Sequence, residues 1–256
     1  MLKQYKIIDN LTSGNYGKIY KASYNNSLYV IKEDSNIELL KHEAEIYKNL
    51  RSVNYVSKLY DLFIDNNICY MVIDYYDENL YIFKHKTISS LSYESNIIDI
   101  FTILFDTLKH IHNLGYVHRD LKPLNICLKK SVPYLIDFGF SKKIIEKQKH
   151  ISEKNIKSII GSYSFISNNV KNNIEPSRRD DMESMMYILL FMFVDKNKEN
   201  TFIGFNLTND EIYNYIINLK IFDIEAYKKI LNYIKKMKFS QEPNYQYIIK
   251  ELFIYQ

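Results

Sequence analysis

The sequence predicts an α+β fold in two unequal lobes: a five-stranded β lobe with one helix, then a larger, mainly helical lobe. Three observations point there. The first third alternates short apolar runs with turn residues, as in Leu28–Lys32 and Asn67–Asp74, which is the pattern of strands and hairpins. One helical period interrupts them, placing Leu40, Glu43, Tyr47 and Leu50 on a common face. Beyond Leu91, apolar residues recur at three-and-four spacing, first through Ile97, Phe101, Leu104, Leu108 and Ile111.

Composition sets the bounds. A chain of 256 residues makes one large domain or two small lobes. With 46% hydrophobic and 25% charged residues it is a folded protein, not a disordered one. A net charge of +4 is too mild for a nucleic-acid partner, which wants a concentrated basic stripe. Cys69 and Cys127 lie in apolar runs and form neither a disulfide framework nor a metal pattern. A reducing intracellular setting is therefore expected, cytoplasmic with nuclear entry left open. Met1–Gln4 lack the apolar core of a signal peptide, and Met185–Val194 is too short to span a bilayer. No membrane is implied, and a monomer is expected.

Taken in order, Tyr5–Leu11 and Lys18–Ser23 read as strands joined by a turn that contains Gly14 and Gly17. Without a Cβ, such a backbone can approach phosphates closely and point N–H groups at them. Leu28–Lys32 is a third strand. Lys32 ends an apolar run and needs an acceptor; Glu43 sits on an apolar helix face (Asn36–Leu50) and needs a cation. The two are expected to pair, whereas Glu45 lies off the stripe and is solvated. Val56–Asp65 and Asn67–Asp74 form an antiparallel pair around Asp65-Asn66-Asn67. The boundary falls at Tyr76, giving lobes 1–76 and 77–256 without a flexible linker. Leu91–Leu114 is a core helix. His110 and His112 near its end do not share a face, which argues against a metal site. From Thr208 onward the pattern is helical, and Leu231–Lys238 reads as a surface helix of the large lobe.

The centre of the chain is His118-Arg119-Asp120-Leu121-Lys122-Pro123-Leu124-Asn125, followed by Asp137-Phe138-Gly139. Two strands flanking a turn would bring Asp120, Lys122, Asn125 and Asp137 to one point. Phosphoryl transfer needs that set: a carboxylate to orient a hydroxyl, a cation for the moving charge and two oxygen ligands for magnesium. The spelling HRDLKPxN with DFG behind it resembles the eukaryotic protein kinase superfamily. A narrower resemblance follows. Gly161–Ser167 is similar to GTARYAS and Ile174–Ser184 to IEQSRRDDLES, both of the casein kinase I family, which also lacks an APE motif. Glu43–Lys48 resembles that family's ESKIYK and Asp137–Lys143 its DFGLAKK. The motifs run from Tyr5 to Phe193.

The resemblance implies a bilobal protein kinase fold and a serine/threonine kinase using ATP and Mg2+ on protein substrates. Gly14 and Gly17 take the second and third glycine places of the nucleotide loop, with Thr12 replacing the first. Ile19, Val30 and Cys127 line the adenine pocket, Ile73 is the gatekeeper, and the backbone of Asp74 to Tyr76 is the hinge. Lys32, paired with Glu43, holds the α- and β-phosphates. Asp120 accepts the substrate proton, Lys122 stabilises the moving phosphoryl group, and Asn125 and Asp137 bind magnesium, with Gly139 permitting the turn. Ser162 bridges the catalytic Asp and Lys, and Asp181 anchors the catalytic loop. Arg178 would hold a phosphate or acidic group on the substrate; Arg178 and Arg179 as a solvated pair is the other reading. Met186 stands where the family's helix has Gly. Ser152 and Ser158 are not required switches, and no regulatory tail is expected. Two rivals stay open, an ATP-binding pseudokinase scaffold and a small-molecule phosphotransferase.

Overall fold

Asparagines with left-handed backbones turn the first sheet. The computed structural model describes residues 4–14, 17–88, 90, 92–206 and 223–253. Asn25 and Asn26 (φ 47° and 58°) lead β2 (Gly17–Tyr24) into β3 (Ser27–Asp34). Asn66 and Asn67 (φ 49° and 62°) lead β4 (Leu59–Asp65) into β5 (Ile68–Asp74). Asn tolerates this region, and such two-residue turns match the twist of the flanking strands. With β1 (Lys6–Gly14) these strands form an antiparallel sheet in the order β1-β2-β3-β5-β4. Gly17 has φ +87°, and a Cβ there would lie 2.2 Å from the Glu33 carbonyl, so the hairpin fits against β3 only without a side chain. Asn15 and Tyr16, the tip of the predicted nucleotide loop, lie outside the described residues.

β4 begins later than the sequence predicts. Val56 instead forms a parallel bridge to Leu135, and the Ser57 and Leu135 amides donate to the Leu135 and Tyr55 carbonyls at 3.0 and 2.9 Å. These bonds join the small sheet to the chain just ahead of Asp137. Helix α1 (Ile37–Asn49) starts where the Asn36 side chain accepts the Leu39 N–H at 3.3 Å. It buries Leu40, Glu43, Ala44, Ile46 and Tyr47 and leaves Glu45 exposed, as its periodicity requires.

After β5 the chain runs into β6 (Glu78–Asn79), which pairs with β8 (Ile126–Lys129) and, through it, β9 (Val132–Leu135). Between them come α2 (Leu80–Thr87), α3 (Tyr93–Asn113) and β7 (Tyr116–Val117), which pairs with β10 (Lys142–Lys143). Short helix α4 (Asn168–Lys171) precedes α5 (Arg178–Met192), and every residue of α5 from Arg179 to Met192 is buried. Against α5 packs the helix Ile224–Lys235, and Tyr245–Phe253 packs on that helix and on α3; the Tyr227 hydroxyl donates to the Met186 carbonyl at 3.1 Å. Leu231, Ile234 and Met237 turn inward from the first of these, and its exposed face carries the lysines. Among the described residues no helix is long and apolar enough to cross a membrane. Cys69 and Cys127 are both free.

Candidate active site

The catalytic loop is held from below by one buried carboxylate. Asp181, in the first turn of α5, accepts the backbone N–H of His118 at 2.7 Å and of Arg119 at 3.0 Å. His112 adds a third contact through Nε2 at 3.0 Å, while its Nδ1 meets the Tyr245 hydroxyl at 2.6 Å. His112 is thus a buried structural link, and among the described residues no group of His, Cys, Asp and Glu could hold a metal by itself. Burial opposes ionisation of Asp181, but His112, His118 and the Arg119 amide overcome it and hold the carboxyl below its usual range. Arg119 itself has φ +68°, a left-handed backbone that costs about 1–3 kcal/mol and is kept by these bonds.

With the loop fixed, its side chains converge on Asp120. Lys122 Nζ donates to Asp120 Oδ2 at 2.8 Å, and Ser162 Oγ donates to Oδ1 at 2.8 Å. Asn125, at the end of a 3-10 turn (Pro123–Asn125), gives its amide nitrogen to the Asp120 carbonyl at 2.9 Å and to Oδ2 at 3.2 Å. The amide is planar, so this leaves Asn125 Oδ1 as the atom available to a cation. His118 is a brace: Nε2 bonds the Ile136 carbonyl at 3.0 Å, and its ring lies 4.8 Å from that of Phe138.

On the other side, Lys32 lies between two carboxylates, 2.7 Å from Glu43 Oε1 and 2.8 Å from Asp137 Oδ1. Burial opposes the Lys32 charge, yet Glu43 and Asp137 together outweigh it and push its pKa above the ordinary value. Asp137 is held below its usual range for the converse reason: Lys32, with His118 and Lys122 further off, overcomes the burial penalty. The predicted pairing of Lys32 and Glu43 is therefore present, and Asp137 joins it.

In this turn the left-handed backbone belongs to Asp137, with φ +66°, and not to Gly139. A Cβ on Gly139 would meet Glu43 Oε2 at 3.8 Å and Asp137 Oδ1 at 3.9 Å, both ordinary contacts. The conformation of Asp137 is fixed instead by its N–H, which donates to the Tyr47 hydroxyl at 3.1 Å. The Tyr47 ring packs edge-on against Phe138 at 5.1 Å, so α1 grips both sides of the turn.

The predicted adenine-pocket residues fall on three strands. Ile19 in β2 is directly opposite Lys32 in β3, and Val30 is opposite the buried Ile73 in β5. Cys127 lies on β8, where burial pushes its thiol up to about 12, so it is a neutral wall and not a nucleophile. Asp74 turns its carboxylate away from that pocket, accepting the Lys58 N–H at 2.8 Å and the Tyr60 hydroxyl at 2.9 Å. The Tyr76 ring stands 5.1 Å from Tyr134 of β9. The segment from Asp74 to Tyr76 is thus clamped by side chains. Gly14 pairs with Gly17 across the β1–β2 turn.

Arg178 and Arg179 are not a solvated pair. Arg179 is buried, donating to the Met237 carbonyl at 3.0 Å and to Glu153 at 2.8 Å. Arg178 is half-buried and donates to the Ser240 carbonyl at 2.8 Å, on a different flank from the Asp120 cluster's own bonds. Its Nε has no protein partner among the described residues. A residue without a predicted role proves central: buried Glu175 accepts from Arg119 at 3.1 Å and from Lys142 at 3.0 Å through the same oxygen. Tyr47 is the other, since its phenol was read only as part of an apolar stripe. Neither has a local signal; each partner is distant in sequence.

The comparisons with known proteins agree with this geometry. A family model described as the protein kinase domain matches residues 5–253, well past the last recognisable motif. A probable casein kinase I homolog of Encephalitozoon cuniculi is 26% identical over 275 aligned positions, covering 96% of this chain and 83% of that protein. A probable serine/threonine-protein kinase of Dictyostelium discoideum is 26% identical over 198 positions, spanning 73% of this chain and 40% of that protein. In fold, the chain is similar to vaccinia related kinase 3, with a TM-score of 0.76 at 17% identity over 96% of this chain and 85% of that one. A carboxylate ringed by Lys122, Asn125 and Ser162, a lysine between two acids facing it, and a family model spanning nearly every residue lead to one statement: the chain belongs to the protein kinase domain family.

Proposed function

We propose that this chain is an active, magnesium-dependent serine/threonine protein kinase of casein kinase I type, with lobes 1–76 and 77–256 closing on ATP. The observation that carries the reading is the convergence of Lys122, Asn125 and Ser162 on Asp120 while Lys32 and Glu43 remain paired across from it. A pseudokinase scaffold would have no use for this complete set of charges. The family uses ATP with a divalent metal and acts on proteins.

The donor chemistry fits magnesium. Asp137 offers a carboxylate held ionised by Lys32, and Asn125 offers a carbonyl oxygen. Two protein oxygens suffice for this ion, which takes its remaining ligands from phosphates and water. Held by Asp137 and Asn125, it would supply positive charge to offset the negative charge that develops on transfer. The residues of the chain do the rest. Asp120 orients the substrate hydroxyl and receives its proton as the oxygen bonds to the γ-phosphorus and the bond to ADP breaks. Lys122 offsets the charge of the moving group, and Ser162 restrains Asp120. Lys32 holds the α- and β-phosphates. Backbone groups of Gly14 and Gly17 cover them, while Ile19, Val30 and Cys127 enclose the adenine and the Asp74–Tyr76 backbone bonds its edge. This is catalysis by position and charge.

Arg178 is the proposed contact for an acidic or already phosphorylated substrate residue; its side chain is half-buried, with Nη2 on the Ser240 carbonyl. We place the protein in a reducing intracellular compartment, in keeping with two free thiols, and as a monomer. The test is transfer of labelled γ-phosphate from Mg-ATP to casein by wild type and Asp120→Asn. Labelling of Ser or Thr that the variant abolishes supports the reading. ATP binding with no transfer to any protein overturns it in favour of a scaffold.

A further inference from the structure

Beside the catalytic loop lies a cavity of about 200 Å3 that the transfer chemistry does not use. One wall is Lys122, the residue bonded to Asp120; the rest includes Tyr81, Leu124, Phe165, Phe191 and Phe202. The three phenyl rings form its floor, with centroids 5.4 to 5.8 Å apart in every pairing. The loop above is fixed by the Gly204 N–H, which donates to the Ser164 carbonyl at 2.9 Å, and both elements are built on α5. At the rim Leu124 is 52% exposed and Tyr81 40% exposed, so apolar surface faces solvent next to the reacting groups. Exposed apolar surface of this kind marks a contact surface.

The charge pattern decides what fits. Glu199 borders the cavity, yet its charge is already offset: Oε1 is paired with the buried Lys84 ammonium. Lys84 in turn donates to the Val194 carbonyl at 2.9 Å and sits 4.2 Å from the centre of the Phe191 ring. Glu199 therefore presents no free charge to a basic side chain, and Lys122, paired with Asp120, presents none to an acidic one. An acidic side chain would have to lie against three phenyl rings. We propose that this cavity takes an apolar side chain of the protein substrate, of leucine, methionine or phenylalanine size, a few residues from the phosphorylated hydroxyl. Leu124 and Phe202 then set specificity alongside Arg178. The occupant is the substrate itself because Lys122 is shared: a polypeptide whose hydroxyl reaches Asp120 passes this opening, at about 3.3 Å per extended residue.

The inference rests on the kinase reading, and the test separates the two. Serine peptides would be prepared with a single leucine walked along the positions flanking the serine, on an otherwise polar background. Wild type should favour leucine at one position, with kcat/KM about tenfold above alanine there and the KM for ATP unmoved. Leu124→Glu changes an exposed residue and should fold; it should lose that preference and gain one for lysine at the same position. Phe202→Leu should shift the preference toward larger side chains. Equal use of leucine and alanine at every position would overturn the proposal, as would a preference that both variants retain. Binding of fluorescein-labelled peptides, read by anisotropy, covers the case of no transfer. Leucine-dependent binding that Leu124→Glu abolishes would keep the pocket and sink the kinase reading, and binding indifferent to leucine would sink the pocket.

Discussion

The Glu175 carboxylate receives the Arg119 guanidinium at 3.1 Å, and through it the residue before the catalytic aspartate is fastened to the segment that leads into α5. Lys142 joins on the same oxygen at 3.0 Å. Two cations and one buried anion make a fixed internal clasp between the catalytic loop, the strand after the Asp137 turn and this segment. Glu175→Gln leaves the shape and removes the charge. We expect the variant to be about 3 kcal/mol less stable, because Arg119 is left buried without its anion. Its kcat should fall about tenfold, or roughly 1.4 kcal/mol in barrier, with ATP affinity retained. Chemical denaturation and steady-state kinetics check both; an unchanged kcat would show that the clasp only stabilises.

Acid should act through Asp181. Burial alone would raise this carboxyl, and its hydrogen bonds and neighbouring histidines lower it instead. A folded value below the unfolded one means that the unfolded chain takes up the proton first. The contribution is complete above about pH 4 and is lost as pH falls through the folded value. Asp180 and Glu183 on the same helix are raised by burial and act in the opposite sense. The useful quantity is therefore the difference between wild type and Asp181→Asn, which removes about 3 kcal/mol at neutral pH. In urea titrations that difference should hold above about pH 4 and shrink as pH falls below it.

Lys32 and Glu43 should show strong coupling. Lys32→Met strands a carboxylate that is 1% exposed, a loss of about 3–5 kcal/mol. Adding Glu43→Gln should restore part of it, since two uncharged groups are cheaper to bury than one lone ion. Melting temperatures of the two single variants and the double variant form the cycle. Strict additivity would mean that the pair has no energetic link.

Two glycines should respond in opposite ways. Gly161 has φ +94°, and a Cβ there would lie 2.5 Å from the Arg119 carbonyl. Gly161→Ala should displace the neighbouring Ser162 and lower kcat by about 10- to 100-fold, a strain of roughly 1–3 kcal/mol. Gly139→Ala meets only ordinary contacts, so its unfolding free energy should stay within about 0.5 kcal/mol of wild type. Kinetics on the first and calorimetry on the second would expose an error in either.

The Lys32–Glu43 pair could be read in sequence because a carboxylate on an apolar helix stripe admits few explanations. Lys122 and Asn125 could be read beside Asp120 because they lie within a few residues of it, whereas Ser162, 42 positions on, was legible only through the family resemblance. Glu175 could not, since a single acid in a loop has no periodicity and its cations lie 33 and 56 positions away. The solvated-pair reading of Arg178 and Arg179 fails for a related reason: two arginines before two aspartates look like a hydrated helix end, whereas α5 enters the core at its first turn and buries Arg179. The left-handed backbone of Asp137 had no sequence signal, since the Tyr47 hydroxyl that holds its amide lies 90 positions away.

Tyr47, Phe138, His118 and Asp181 form one continuous column from α1 to α5, ring on ring at 5.1 and 4.8 Å and then backbone to carboxylate at 2.7 Å. Four positions earlier on α1, Glu43 holds Lys32, and the Tyr47 hydroxyl itself holds the Asp137 amide. α1 therefore cannot swing outward by a little and spoil catalysis by a little, because the ion pair, the ring stack and the turn that bears Asp137 are released together. A molecule that presses on α1 would therefore load the ion pair, the ring stack and the Asp137 turn at the same time.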